Sequence, residues 1–126
     1  MGLNLFPNGV GTDNDGVLQG EIADISTGAS SFTAALPFDV EITGAYVTQE
    51  TAVTVAPAAV TFEIGGVAIT AMEATIAIGG ADGDAFAAVA PTGANSLTAG
   101  TAVEIITDGG STTASKGIVG ITYKRV

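Results

Sequence analysis

The sequence predicts an all-β fold: an antiparallel, jelly-roll-like β-sandwich over residues 17–126, preceded by an extended N-terminal arm over residues 1–16. Three observations carry this expectation. Large apolar residues alternate with polar ones at period two, as in Phe38-Asp39-Val40-Glu41-Ile42, the pattern of a strand with one buried and one solvated face. Clusters rich in Gly, Asp, Asn and Ser separate these runs, and such residues form turns because they tolerate positive φ. The runs recur about every ten to fifteen residues, the rhythm of a sandwich or jelly roll.

The elements follow in chain order. Met1 to Gly16 holds Leu3, Asn4, Leu5, Phe6 and Pro7, then a polar, glycine-rich tail. Pro7 and four glycines make it a poor core strand. It reads either as a frayed terminus or as an arm whose Leu3, Leu5 and Phe6 anchor on a neighbouring molecule. Strands are expected near 17–25, 31–35, 38–48, 51–55, 59–64, 67–70, 74–78, 84–89, 101–107 and 117–125. In the third, Phe38, Val40 and Ile42 point one way and Asp39, Glu41 and Thr43 the other. Val60, Phe62 and Ile64 oppose Thr61 and Glu63, and Val119, Ile121 and Tyr123 oppose Gly120, Thr122 and Lys124. β-Branched residues dominate these runs, as a pleated surface favours. The stretch Ile69 to Ala77 is short and interrupted by threonine, and reads as a pair of strands in preference to one turn of helix. Turns are expected at Thr12–Gly16, Ile64–Gly66, Gly79–Asp84, Pro91–Ser96 and Thr107–Thr113.

Composition then narrows function. The 126 residues make one domain. Charged residues are 13% of the chain, about half the usual share. A surface so poor in charge suits a molecule that hides part of its exterior in an assembly. Thirteen acidic residues stand against Lys116, Lys124 and Arg125, giving a net charge of −10. Nucleic-acid binding needs several phosphates neutralised by Lys and Arg, and this chain has too few. The longest apolar runs fall well short of the ~20 residues that span a bilayer, and Met1 to Val10 has no basic start followed by an apolar run, so neither membrane insertion nor a secretory signal is expected.

The chain has no His and no Cys, which removes serine triads, thiol chemistry, disulfides and sulfur-ligated metals. A two-carboxylate glycosidase would need aromatic platforms for sugar. There is no Trp, and the tyrosines are Tyr46 and Tyr123. No catalytic residue and no cofactor is therefore assigned. Asp13-Asn14-Asp15 and Asp82-Gly83-Asp84 resemble pieces of calcium loops, but the spacing fails: with Gly16 at position 6 of an EF-hand, positions 1 and 12 would be Gly11 and Ile22. Each reads as a turn-forming pair, and weak divalent binding where two such loops meet in an oligomer stays open. Four glutamates each precede an isoleucine, Glu21, Glu41, Glu63 and Glu104. At outward phases of strands they keep a sheet soluble and discourage edge pairing, or they complement a basic partner.

One resemblance rests on particular stretches. "PFDVEITGAYV" and "TAVTVAPAAVTFEIGG" are followed by "NSLTAGTAVEIITDGGSTT" and a closing "KGIVGITYKRV". This layout, covering Ser31 to Val126, resembles the head decoration (cement) proteins and related small virion proteins of tailed bacteriophages. The resemblance implies a non-enzymatic jelly roll, a homotrimer on the outer surface of the capsid, bridging subunits of the major capsid protein. It leaves open other virion β-sandwiches, such as a tail-tube or head-completion component. A surface carbohydrate-binding or adhesion module is the reading from another class. Within the decoration reading, the segment Leu3, Asn4, Leu5, Phe6 and Pro7 is the expected shell contact.

Overall fold

The computed structural model describes residues 15–28 and 31–126. Nine strands run in chain order: β1 (Asp15–Ile22), β2 (Ser31–Ala35), β3 (Val40–Gln49), β4 (Ala58–Ile64), β5 (Val67–Ile76), β6 (Ala85–Ala87), β7 (Ser96–Leu97), β8 (Ala102–Thr107) and β9 (Gly117–Arg125). There is no helix among the described residues. Sheet A has the order β1-β9-β3-β6, with β7 also on β3, and sheet B the order β2-β8-β4-β5. Every pairing is antiparallel.

The pairings nest. β1 pairs with β9, β2 with β8, β3 with β6 and β7, and β4 with β5. A long hairpin closed at β4–β5 and rolled up, with successive rungs falling alternately in the two sheets, gives this order. That is the jelly roll expected from the sequence. Period-two alternation drives it, because each strand must turn one face inward. Val40, Ile42, Ala45 and Val47 of β3, Val119 and Ile121 of β9, Ala58, Val60 and Phe62 of β4, and Val103 and Ile105 of β8 are all at most 3% exposed. Together with Ile22, Ile69, Met72, Ala74, Ile76 and Leu97 they form one core between the sheets.

Several sequence expectations need correction. Asp15 and Gly16, assigned to the arm, are the first residues of β1. Residues 51–55 alternate like a strand but form a loop, in which buried Val53 donates its N–H to the side-chain oxygen of Gln49 at 3.2 Å. The two strands expected at 67–70 and 74–78 are one, β5, interrupted by a bulge. Thr61 faces Glu73 and Glu63 faces Ala68, so four residues of β5 lie opposite one of β4. Ala71 sits in the bulge at φ 68°, a left-handed conformation that is strained for any residue but glycine. Thr70 there leaves β4 and bridges to Gly93. The two-residue β7 was not expected at all.

A bulge in β3 matters more for the surface. The register on β9 shifts between Ile42 and Gly44. The extra residue reverses the alternation, so Ala45 and Val47 point inward and Tyr46, which strict alternation from Val40 and Ile42 would bury, is 57% exposed. Thr43-Gly44 is the only local sign of it, a glycine within a strand run.

The loops that cross between the sheets are fastened by carboxylates. Asp108 accepts from the N–H of Ala59 (3.0 Å) and of Gly110 (2.8 Å). Asp39 accepts from Ala99 (2.8 Å). Asp82 accepts from Ala52 and Asp84 from Ala81, both at 2.8 Å. Asp24 gathers the most donors: the hydroxyl and N–H of Ser26 at 2.7 and 2.9 Å, the hydroxyl of Thr27 at 3.3 Å and the N–H of Ser115 at 3.4 Å. These bonds, led by the Ser26 hydroxyl and then its N–H, hold the Asp24 carboxyl below the ordinary aspartate value.

Two predictions follow from this packing. A Cβ on Gly20 would lie 2.4 Å from Cζ of Phe32, whose ring crosses from β2 to cover β1. Gly20→Ala should lose about 1–3 kcal/mol in equilibrium denaturation, and adding Phe32→Leu should recover part of that loss. For Asp24 the folded value is depressed, so its contribution is present above an unfolded value of about 3.9. It is lost as pH falls through the lowered folded value. Amide exchange at Ser26 and Ser115 should quicken on acidification through that window, and in Asp24→Asn the same amides should show no such acid step.

Candidate interaction surface

The four glutamates do not meet. Glu21 and Glu41 lie on sheet A, Glu63 and Glu104 on sheet B. Glu21 is exposed opposite Ile118. Glu41 stands opposite Lys124, its Oε1 3.4 Å from Nζ, and both side chains are so exposed that the pair adds little stability. Glu63 and Glu104 face one another directly across β4 and β8 on the outside of sheet B, with Thr33 beyond Glu104. Among the described residues, no three acidic side chains group as a metal site. Asp82 and Asp84 spend their oxygens on backbone N–H groups, in keeping with the turn-forming reading. Asp13 lies outside the described residues, as do Leu3, Asn4, Leu5, Phe6 and Pro7 of the expected arm.

The outer faces of the two sheets differ in chemistry. Sheet B shows Glu63, Glu73 and Glu104 among threonines, and carries no base among its described residues. Sheet A carries all three bases of the chain on or next to its central strand. Lys116 immediately precedes β9 and shares a concavity with Glu21 and Glu50. Lys124 pairs with Glu41 at the other end. The Arg125 guanidinium lies 4.0 Å from the centre of the Phe38 ring, a cation–π contact that holds it against the rim.

Between those charged ends the face of sheet A is apolar and hydroxylic. Val17, Tyr46 and Ile118 are 57%, 57% and 45% exposed. The register sets them around Gly120, which has Gln19 on one side and Tyr46 on the other, while Ile118 stands between Glu21 and Thr48. Thr43 and Thr122 share a hydrogen bond of 3.0 Å at the edge of the patch. This group of exposed apolar residues on a single sheet face went unread in the sequence, because the β3 bulge decides that Tyr46 points outward. Tyr46 and the Thr43–Thr122 pair supply the hydroxyls of this face. What it can do is bind another surface.

Like charges placed directly opposite on a sheet oppose its pairing. Glu104→Gln should therefore raise stability by about 0.2–1 kcal/mol at low salt, and the gain should shrink as added salt screens the pair. Denaturation at two ionic strengths checks both parts.

No family model matches the sequence, and no curated protein matches it. Among solved structures, a chain of the cyanophage Pam1 capsid asymmetric unit is similar, with a TM-score of 0.42 and 18% identity over 90% of this chain and 87% of that one. A chain of infectious bursal disease virus, Gx strain, is similar with a TM-score of 0.40 and 16% identity over 90% of this chain. The VP2 subviral particle of infectious bursal disease virus gives 0.36 and 18%, again over 90% of this chain. This chain spans 33% of the Gx-strain chain and 38% of the subviral-particle chain.

Proposed function

We propose that this chain is a non-enzymatic structural protein of a virion, a decoration (cement) protein that binds the outside of a tailed-phage capsid. In this reading it assembles with copies of itself, as a homotrimer, and bridges subunits of the major capsid protein. The observation that carries the reading is the placement of the side chains able to do chemistry. The carboxylates are dispersed over opposite faces or tied to backbone N–H groups, while three of the eight large apolar side chains exposed among the described residues, Val17, Tyr46 and Ile118, gather on one face. A protein built this way works by contact. The resemblance over Ser31 to Val126 supplies the kind of contact, and its stretches fall on β3, β4, β8 and β9, the strands that build both sheets.

The mechanism is multivalent attachment. A trimer engaging several shell subunits at once turns weak contacts into strong ones through effective concentration. Binding only the assembled lattice stabilises that lattice by linkage. The segment Leu3 to Pro7 is proposed as part of the shell contact, because three large apolar side chains in so polar a stretch have a use if they are covered by a partner.

Cosedimentation with purified, assembled phage shells tests the reading. Saturable binding to shells, with no binding to unassembled coat subunits, is the expected result. The absence of shell binding at any tested concentration would refute it. Deleting Met1 to Val10 should remove most of the bound protein while leaving the circular dichroism spectrum of the sandwich intact; unchanged occupancy would refute the arm's part.

A further inference from the structure

Glycine within a strand weakens the strand, since it has more freedom to lose and no side chain to pack. Most strand glycines of this chain have an internal reason to be there. A Cβ on Gly16 would lie 2.4 Å from the Tyr123 ring, one on Gly20 2.4 Å from the Phe32 ring, and one on Gly117 3.3 Å from Ile25. Gly120 has no such reason. It sits in the middle of β9, the central strand of sheet A, and does not have positive φ. A Cβ there would meet nothing nearer than Val17 Cγ1 at 3.6 Å, an ordinary contact. A glycine that neither backbone nor neighbours demand marks a place where another molecule's atoms come close.

We propose that the outer face of sheet A, centred on the depression at Gly120 and walled by Val17, Tyr46 and Ile118, is the surface on which a second copy of this chain packs. The inference rests on the self-association in the reading above and assigns it a place: in a homotrimer this face of one copy meets a different surface of the next. Charge favours a second copy as the occupant. The chain has a net charge of −10, so two copies repel almost wherever they approach. Repulsion is least on sheet A, because Lys116, Lys124 and Arg125 all lie at its ends and bring it close to neutrality against Asp15, Glu21, Glu41 and Glu50. The outer face of sheet B, with Glu63, Glu73 and Glu104, is the least suitable for such an approach. Size agrees. Strands β1, β9 and β3, of 8, 9 and 10 residues, with the short β6 and β7 beside β3, give a face of roughly 500 Å² at about 4.8 Å between strands and about 3.4 Å per residue. A contact burying that area on both partners reaches the ~1,000 Å² that specific interfaces need. A side chain inserted over Gly120 would sit at the centre of the patch, where binding energy concentrates.

The test is sedimentation velocity on the full chain over a range of concentrations, with Gly120→Thr and Ile118→Glu compared with the wild type. The wild type should form oligomers. Gly120→Thr should melt at the same temperature or higher, because threonine suits a strand better than glycine, yet its self-association should weaken by roughly thirtyfold or more. Ile118→Glu should weaken it similarly. A wild type that stays monomeric overturns both the self-association and its placement here. A wild type that associates beside two variants that associate equally well overturns only the placement on sheet A. If Gly120→Thr loses its fold, the glycine is needed by the chain itself and does not mark a docking site, and Ile118→Glu alone decides whether the face is used.

Discussion

The two sheets have to be held together by small aliphatic side chains, and the rest of the molecule answers to that constraint. Phe62 is the one fully buried aromatic among the described residues; the other large buried positions are Ile, Leu and Val, with Gln49 the polar exception. Sheets about 10 Å apart can be filled this way only if each strand keeps its alternation strictly. Where a bulge intervenes, the phase must be recovered at once. β3 does so after Thr43-Gly44, returning Ala45 and Val47 to the core at the expense of exposing Tyr46. The external patch is thus the other side of an internal packing requirement.

The same constraint explains the aspartates. In a jelly roll the connections between rungs cross from one sheet to the other, and their backbone groups have no ladder to satisfy them. Here Asp24, Asp39, Asp82, Asp84 and Asp108 each accept from backbone N–H groups of such connections. Gln49 does comparable work from inside the core, donating to the carbonyl of Ala81 and accepting from Val53. A sequence with five such aspartates and no histidine or cysteine looks at first like a candidate for metal or acid–base chemistry. The geometry turns most of those carboxylates to architecture and leaves the surface to do the rest.

What could be read from the sequence divides along physical lines. Local alternation is a property of neighbouring residues, so most strands and their inward faces were legible: Val60 and Phe62, Val119 and Ile121, Val40 and Ile42 all lie in the core. Residues 51–55 misled because Thr51 to Val55 alternate as well as any strand, yet the buried Gln49 amide fastens them as a loop. β5 looked like two strands because its bulge holds Thr70 and Ala71 out of register. The outward phase of the four glutamates was legible; that Glu63 and Glu104 would stand face to face was not, since it depends on the register of two strands some forty residues apart. Tyr46, Ile118, Val17 and Gly120 come from three strands, and no local pattern joins them.

The nested pairing also governs how the chain is made. Asp15 finds its partner at Lys124, and Ile22 finds its own at Gly117, so the first described strand emerges from the ribosome long before anything exists for it to bond. The β4–β5 hairpin is the one rung able to close locally. Topologies dominated by such distant partners fold slowly, in milliseconds to seconds. Throughout synthesis β1 is an orphan with both edges bare, and it joins sheet A only when β9 arrives to be clasped between β1 and β3.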